Sequence, residues 1–149
     1  MNSEQTTQYP TAGLFRRLIA LVYDTLLLLA LILIAGFIAL PFTGGEAPRP
    51  GNPFYQTYIF VLCYLFFAWF WTRGGQTLGM RAWRLRVQNE DGTAINWSQS
   101  LLRFMCAMVS WGFLGLGYLW ILVDKNNLAW HDHFSNSRIV VLPKPDKSK

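Results

Sequence analysis

Asp24 is the side chain whose position holds the most chemistry. It is the only charged residue in an apolar run over residues 18–40. A carboxylate held in lipid must find a partner or take up a proton, so such residues serve as proton or cation sites and equally as polar braces between helices. Arg17 lies seven residues earlier, almost two helical turns, and projects from the same face. The axial rise between them is ~10 Å, long for a direct ion pair but short enough for Arg17 to tune the carboxyl. At three and four residues from Asp24 stand Ala20, Leu21, Leu27 and Leu28. None can pair with it, so its partner must come from another segment, from water or from a cation. Arg103, at the head of a later apolar run, is one candidate, and Gln56 is a second.

Other reactive residues carry less. Trp130-His131-Asp132-His133 offers three ligand types, but adjacent residues rarely converge on one ion and no further Cys/His cluster supports them. No metal site is expected. Gly74-Gly75-Gln76-Thr77-Leu78-Gly79 lacks the lysine and hydroxyl of a phosphate loop, and its glycines read as points where chain packs closely on helices. Ser98, Ser100 and Ser110 have no base at a recognisable spacing, so neither enzyme activity nor a cofactor is expected. Cys63 and Cys106 lie in apolar runs without ligand spacing and read as small hydrophobes.

The elements that position these residues follow from composition. Charged residues make up 14% of the chain against about 25% in soluble domains, too few for a water-facing surface. The apolar residues fall in three blocks, 18–40, 54–71 and 104–123, which implies membrane helices over about 17–41, 54–72 and 99–123. Aromatics crowd both ends of the second block, as at headgroup level. The net charge of +5 comes largely from arginines just outside the blocks, which suits an anionic lipid surface and not nucleic acid. The first block is far longer than a signal-peptide core and is expected to remain as an anchor.

Residues 43–53 form a short Gly/Pro-rich connector. The Arg-rich stretch 73–99 predicts a short strand at Trp83–Val87, an Asp91-Gly92 turn and a short return through Ile95 and Trp97. The β-prone run Ile139-Val140-Val141-Leu142 could pair with it. Gly112, Gly115 and Gly117 interrupt the third block. With Arg16 and Arg17 inside, a single third crossing would put Lys125, Arg138, Lys144, Lys147 and Lys149 outside, against the charge rule. A re-entrant or two-piece helix keeps them inside. The fold expected is therefore an all-α polytopic membrane protein with two transmembrane helices, a third Gly-interrupted segment and a small cytoplasmic β element. Residues 1–11 and 143–149 are read as polar tails around a membrane domain at 12–142.

Several of these landmarks together resemble the RDD family of bacterial membrane proteins, named for one arginine and two aspartates. Residues 13–24, Gly-Leu-Phe-Arg-Arg-Leu-Ile-Ala-Leu-Val-Tyr-Asp, are similar to the family's opening and put its arginine on Arg17 and its first aspartate on Asp24. Gly75-Gln76-Thr77-Leu78-Gly79-Met80-Arg81 resembles its middle motif, with Met80 where lysine is common. Asp91-Gly92, Leu101-Leu102-Arg103, Gly115-Leu116-Gly117 and His131-Asp132 fit further on, and Ser135-Asn136-Ser137 resembles a variant of Ala-Gly-Thr. The second aspartate falls on Asp132, with Asp124 as its rival; Arg103, Asp124 and His131 are secondary candidates. The resemblance implies a bacterial cytoplasmic membrane and a transport role, cation/proton exchange among the activities reported for the family, while Arg16 and Arg17 put the N-terminus inside. In that role Asp24 would carry the ion or proton, Arg17 would tune it and Asp132 would lie at the cytoplasmic mouth. So few helices hardly enclose a path, so a homo-oligomer or a partner membrane protein is expected besides the bilayer. The alternative is a non-transporting accessory or scaffold module in which Arg17 and Asp24 are braces.

Overall fold

A computed structural model describes residues 9–144; residues 1–8 and 145–149 of the two expected tails, with Lys147 and Lys149, lie outside the described residues. Helix α1, Leu14–Ala39, runs into a 3-10 turn at Leu40–Thr43 that carries Pro41 and closes on Gly44 in the left-handed region. Its start, earlier than the expected residue 17, places Arg17 in the first turn. Helix α2, Pro53–Arg73, begins where Asn52 accepts the backbone N–H groups of Phe54 at 3.0 Å and Tyr55 at 3.4 Å, with proline in the first turn, the arrangement that suits orphan N–H groups. Both helices are long and apolar enough to cross a membrane. Their outer faces carry residues such as Phe37, 73% exposed, and Phe54, 86% exposed, which water would not tolerate as a continuous surface.

The membrane-proximal part is built from short pieces. Helix α3, Leu78–Ala82, is capped by Thr77, whose hydroxyl accepts the Met80 N–H at 3.2 Å. Strand β1, Leu85–Asn89, pairs antiparallel with strand β2, Ser137–Val141, with Val87 opposite Ile139. The pairing expected between the two β-prone runs thus forms. Two details differ. The return strand through Ile95 and Trp97 is absent, because Asn96 caps a helix instead: its side chain accepts the Gln99 N–H at 2.8 Å and the Gln99 side chain accepts the Asn96 N–H at 3.0 Å, a reciprocal box that draws Trp97 into the helix. The N-terminal tail expected over residues 1–11 also ends differently, since Pro10 O accepts the Val141 N–H at 2.9 Å and Ala12 N–H donates to Ile139 O at 2.8 Å. These bonds lay residues 10–12 along β2.

The third apolar block is in two pieces. Helix α4, Trp97–Gly112, and helix α5, Leu116–Leu119, with the 3-10 turn that follows, meet at 105°. The break falls at Leu114 and Gly115, both in the left-handed region (φ 56° and 77°), which a continuing helix cannot use. Gly117 then packs against Ser110: a Cβ there would come within 2.5 Å of the serine Oγ. A last short helix, α6, Trp130–Phe134, leads into β2. On the other side, Phe60, Tyr64 and Phe67 of α2 pack on Phe104 of α4, with ring centroids 5.5–6.3 Å apart. The core lies where β1, α1, α2 and α4 converge, around Ala20, Trp71, Leu85, Val87 and Phe104.

Candidate functional site

Two buried acids anchor the site, and they have different partners. Asp24, 3% exposed, sits on the α1 face that also presents Arg17 and Ala20. One of its oxygens accepts the Thr77 hydroxyl and the other accepts the Gly79 N–H at 2.9 Å. The partner expected from another segment is therefore the N-terminus of α3. Neither Arg103 nor Gln56 fills that place. The approach depends on small residues: a Cβ on Gly79 would run into the Ala20 carbonyl oxygen, which leaves only glycine at that contact.

Arg17 pairs with Asp132, not with Asp24. Its guanidinium donates to Asp132 Oδ2, to Ala12 O at 2.9 Å and to Asn127 O at 3.0 Å, so its donors are committed away from Asp24 and the expected tuning contact is not made. Arg103 Nη1 lies 2.6 Å from the other Asp132 oxygen and donates to Ser137 Oγ at 2.8 Å. Asp132 Oδ2 also accepts the Ala129 N–H at 3.0 Å, which starts α6. One carboxylate thus joins α1, α4 and α6. Burial pushes the Asp132 carboxyl up, but the Arg103 and Arg17 guanidiniums outweigh burial and hold it well below the usual carboxylate range. Charge in so dry a place is tolerable only when paired in this way.

His131, 3% exposed, places Nε2 3.7 Å from Asp132 Oδ1 and its ring 4.8 Å from that of Tyr118. Burial, aided by the Arg103 charge and opposed by Asp132, lowers the imidazole to about 3, so the ring is neutral. Asp124, the rival for the second aspartate, sits apart: it accepts the N–H groups of Asn126 and Leu128 at 3.0 Å and faces His133 Nε2 at 3.2 Å. The Leu128 N–H above all holds its carboxyl below the usual range. The two histidines therefore face different carboxylates, and no group of three metal-ligating side chains occurs among the described residues.

The close packing expected of the glycines at 74–79 is found at Gly79, which abuts Ala20, whereas the sequence pattern does not place Thr77, Ser137 or Tyr118 in the site. A threonine heading a short helical stretch is a capping signal that could have found Thr77; nothing local marks Ser137 or Tyr118. A cavity of about 60 Å³ adjoins Asp24 and the partners of Asp132, bounded by Arg17, Asp24, Trp71, Arg103, Tyr118 and His131.

Two apolar helices, a small sheet and buried arginine–aspartate pairing define a mostly helical membrane-type protein with an internal charge cluster. Residues 11–136 match the model of the RDD family, and the chain belongs to that family. No curated protein and no solved structure matches it.

Proposed function

We propose that this RDD-family protein exchanges a monovalent cation for protons across the bacterial cytoplasmic membrane, with Asp24 as the exchanging group. One observation carries this reading. Of the two buried carboxylates among the described residues, Asp132 faces two guanidiniums, whereas Asp24 has only neutral donors and borders a cavity. A charge without a counter-charge in a membrane helix is one that a proton or a small cation can neutralise. The two Asp24 oxygens and the Thr77 hydroxyl are hard oxygen ligands of the kind such cations take. Arg17 and Asp132 hold α1 against α6 beside it.

The third segment returns to its starting side in this reading. Residues 10–12, β1 and β2 are hydrogen-bonded together, and paired strands cannot sit on opposite sides of a hydrocarbon layer about 30 Å thick. Helix α4, with 16 residues, rises only about 24 Å. The N-terminus, the arginine-rich segment and β2 then share the cytoplasmic side. Two spans and one hairpin enclose no path alone, so the transporting unit is an oligomer.

The test is a pH-sensitive dye inside vesicles reconstituted with the protein. A cation pulse should change the internal pH with wild type and leave it unchanged with Asp24→Asn, whose amide can still accept from Gly79 and donate to Thr77. No response from wild type, or an intact response from the variant, removes the reading. A second reading, an accessory module, draws on the same two hydrogen bonds, because they fasten α3 to α1. It expects Asp24→Asn to lower folded yield or partner recovery, with no cation response in either protein.

A further inference from the structure

Asp132 stands between two cavities. Outward lies a polar vestibule of about 260 Å³ lined by Glu90, Asn126, Asp132, His133, Ser137 and Arg138. Inward, the charged and titratable partners of Asp132, namely Arg17, Arg103 and His131, all line the cavity of about 60 Å³ that reaches Asp24. The wall between the two spaces is thus one layer of ionisable side chains. That layer is incompletely satisfied. His131 Nδ1 and Arg103 Nε are buried without a hydrogen-bond partner in the protein. Buried polar groups normally have partners, and water commonly supplies those that side chains do not. Most of the inner cavity's wall is apolar, including Phe67, Met80 and Leu85. Water there is held at its polar end by Asp24, His131 and the arginines, and the space admits more than one, since each needs about 10–15 Å³.

We propose that the two cavities form a hydrated proton path from the vestibule to Asp24, with His131 as the relay. The inference rests on Asp24 as a proton-exchanging group. A proton leaving Asp24 passes to a cavity water, and that water gives a proton to His131 Nδ1. The proton on Nε2 leaves to Asp132 Oδ1 once a small side-chain shift closes the 3.7 Å between them, a separation beyond direct hydrogen-bond reach, and from there to vestibule water. The return of the ring to its starting tautomer resets the relay, and no bond other than those to hydrogen changes. Arg17 and Arg103 keep Asp132 a transient carrier, because their charges favour its ionised form. Tyr118 packs against the imidazole, with ring centroids 4.8 Å apart. The path opens on the β1–β2 side, so protons reach Asp24 without crossing the lipid-facing surface of α1.

The experiment reads proton access and not transport. In lipid nanodiscs, at a pH where the protonated Asp24 carboxyl gives an infrared band identified by its loss in Asp24→Asn, the buffer is switched to heavy water and the band shift is timed. His131→Gln keeps a polar side chain but cannot relay. Asn126→Trp puts bulk at the exposed rim of the vestibule and leaves the charge cluster intact. Each should slow the deuterium shift at least about tenfold. Wild-type rates in His131→Gln overturn the relay, and wild-type rates in Asn126→Trp overturn the vestibule as its mouth. If vesicles show no cation-coupled pH change but the shift still depends on His131, the path stands and the exchange reading falls.

Discussion

Asp132 lies between Arg17 and Arg103 and is the carboxylate that offsets their repulsion, and both arginines are at most 5% exposed. Removing the carboxylate leaves two like charges facing each other in a dry interior. Asp132→Asn should therefore destabilise the fold by about 3–5 kcal/mol, seen as a large drop in melting temperature in detergent; a variant melting within a degree or two of wild type would show the cluster to be dispensable. The pH response follows from the same residues. His131 titrates at about 3 folded against 6.5 ordinarily, so between those values the unfolded chain binds a proton that the folded one does not. Stability must fall as pH drops through that window, by up to about 1.4 kcal/mol per unit for one proton. Asp132, held below its ordinary value, adds loss in the same direction at the acid end. Melting temperatures from pH 7 downward should decline, and His131→Gln should flatten the decline; an equal slope in the variant would assign the acid sensitivity elsewhere.

Among the elements, α3 is the one whose placement a single atom controls. It touches α1 through Gly79 over the Ala20 carbonyl, and a methyl group at that position meets backbone, which cannot swing aside as a side chain can. Gly79→Ala should cost about 1–3 kcal/mol and loosen the grip of Thr77 and Gly79 on Asp24, whereas the same change at Gly92, where a Cβ would meet open space but φ is positive, tests strain alone. Thermal melts of the two in parallel, with an equal loss in both, would argue against close packing as the reason for glycine at 79. How far the sequence disclosed this arrangement differs from element to element. The two long helices were legible because an uninterrupted apolar run has few alternatives, and the strands because their β-prone runs complement each other. Asp24 as an odd charge in lipid was legible too. Its partner was not, since Thr77 stands 53 positions away and no local pattern ties it to α1. The pairing of Arg17 with Asp132 was hidden for the same reason: the helical face suggested Asp24, while tertiary contact decided for α6. The lost return strand shows local chemistry overriding alternation, with Asn96 and Gln99 starting a helix where Ile95 and Trp97 had the period of a strand.

At the scale of the whole molecule, the sheet fixes what the membrane helices can do. Each crossing carries the chain to the other side, and β1 follows two candidate crossings while β2 follows the bent third segment. In the proposed topology α4 and α5 together return the chain to the side from which it came, which keeps the paired strands on one side, and the turn falls at the 105° break at Leu114 and Gly115. Single cysteines make the consequence measurable once Cys63 and Cys106 are replaced by serine. A cysteine at Glu46, in the connector between α1 and α2, should react with a membrane-impermeant thiol reagent added outside intact cells. Cysteines at Glu90, beyond β1, and at Lys144, beyond β2, should react only after the cells are opened, and together. Reaction of Glu90→Cys and Lys144→Cys from opposite sides would require the sheet to come apart and the third segment to cross once. Reaction of both from outside with Glu46→Cys protected would keep the hairpin but invert the protein, which would place the vestibule and its proton path on the outer face.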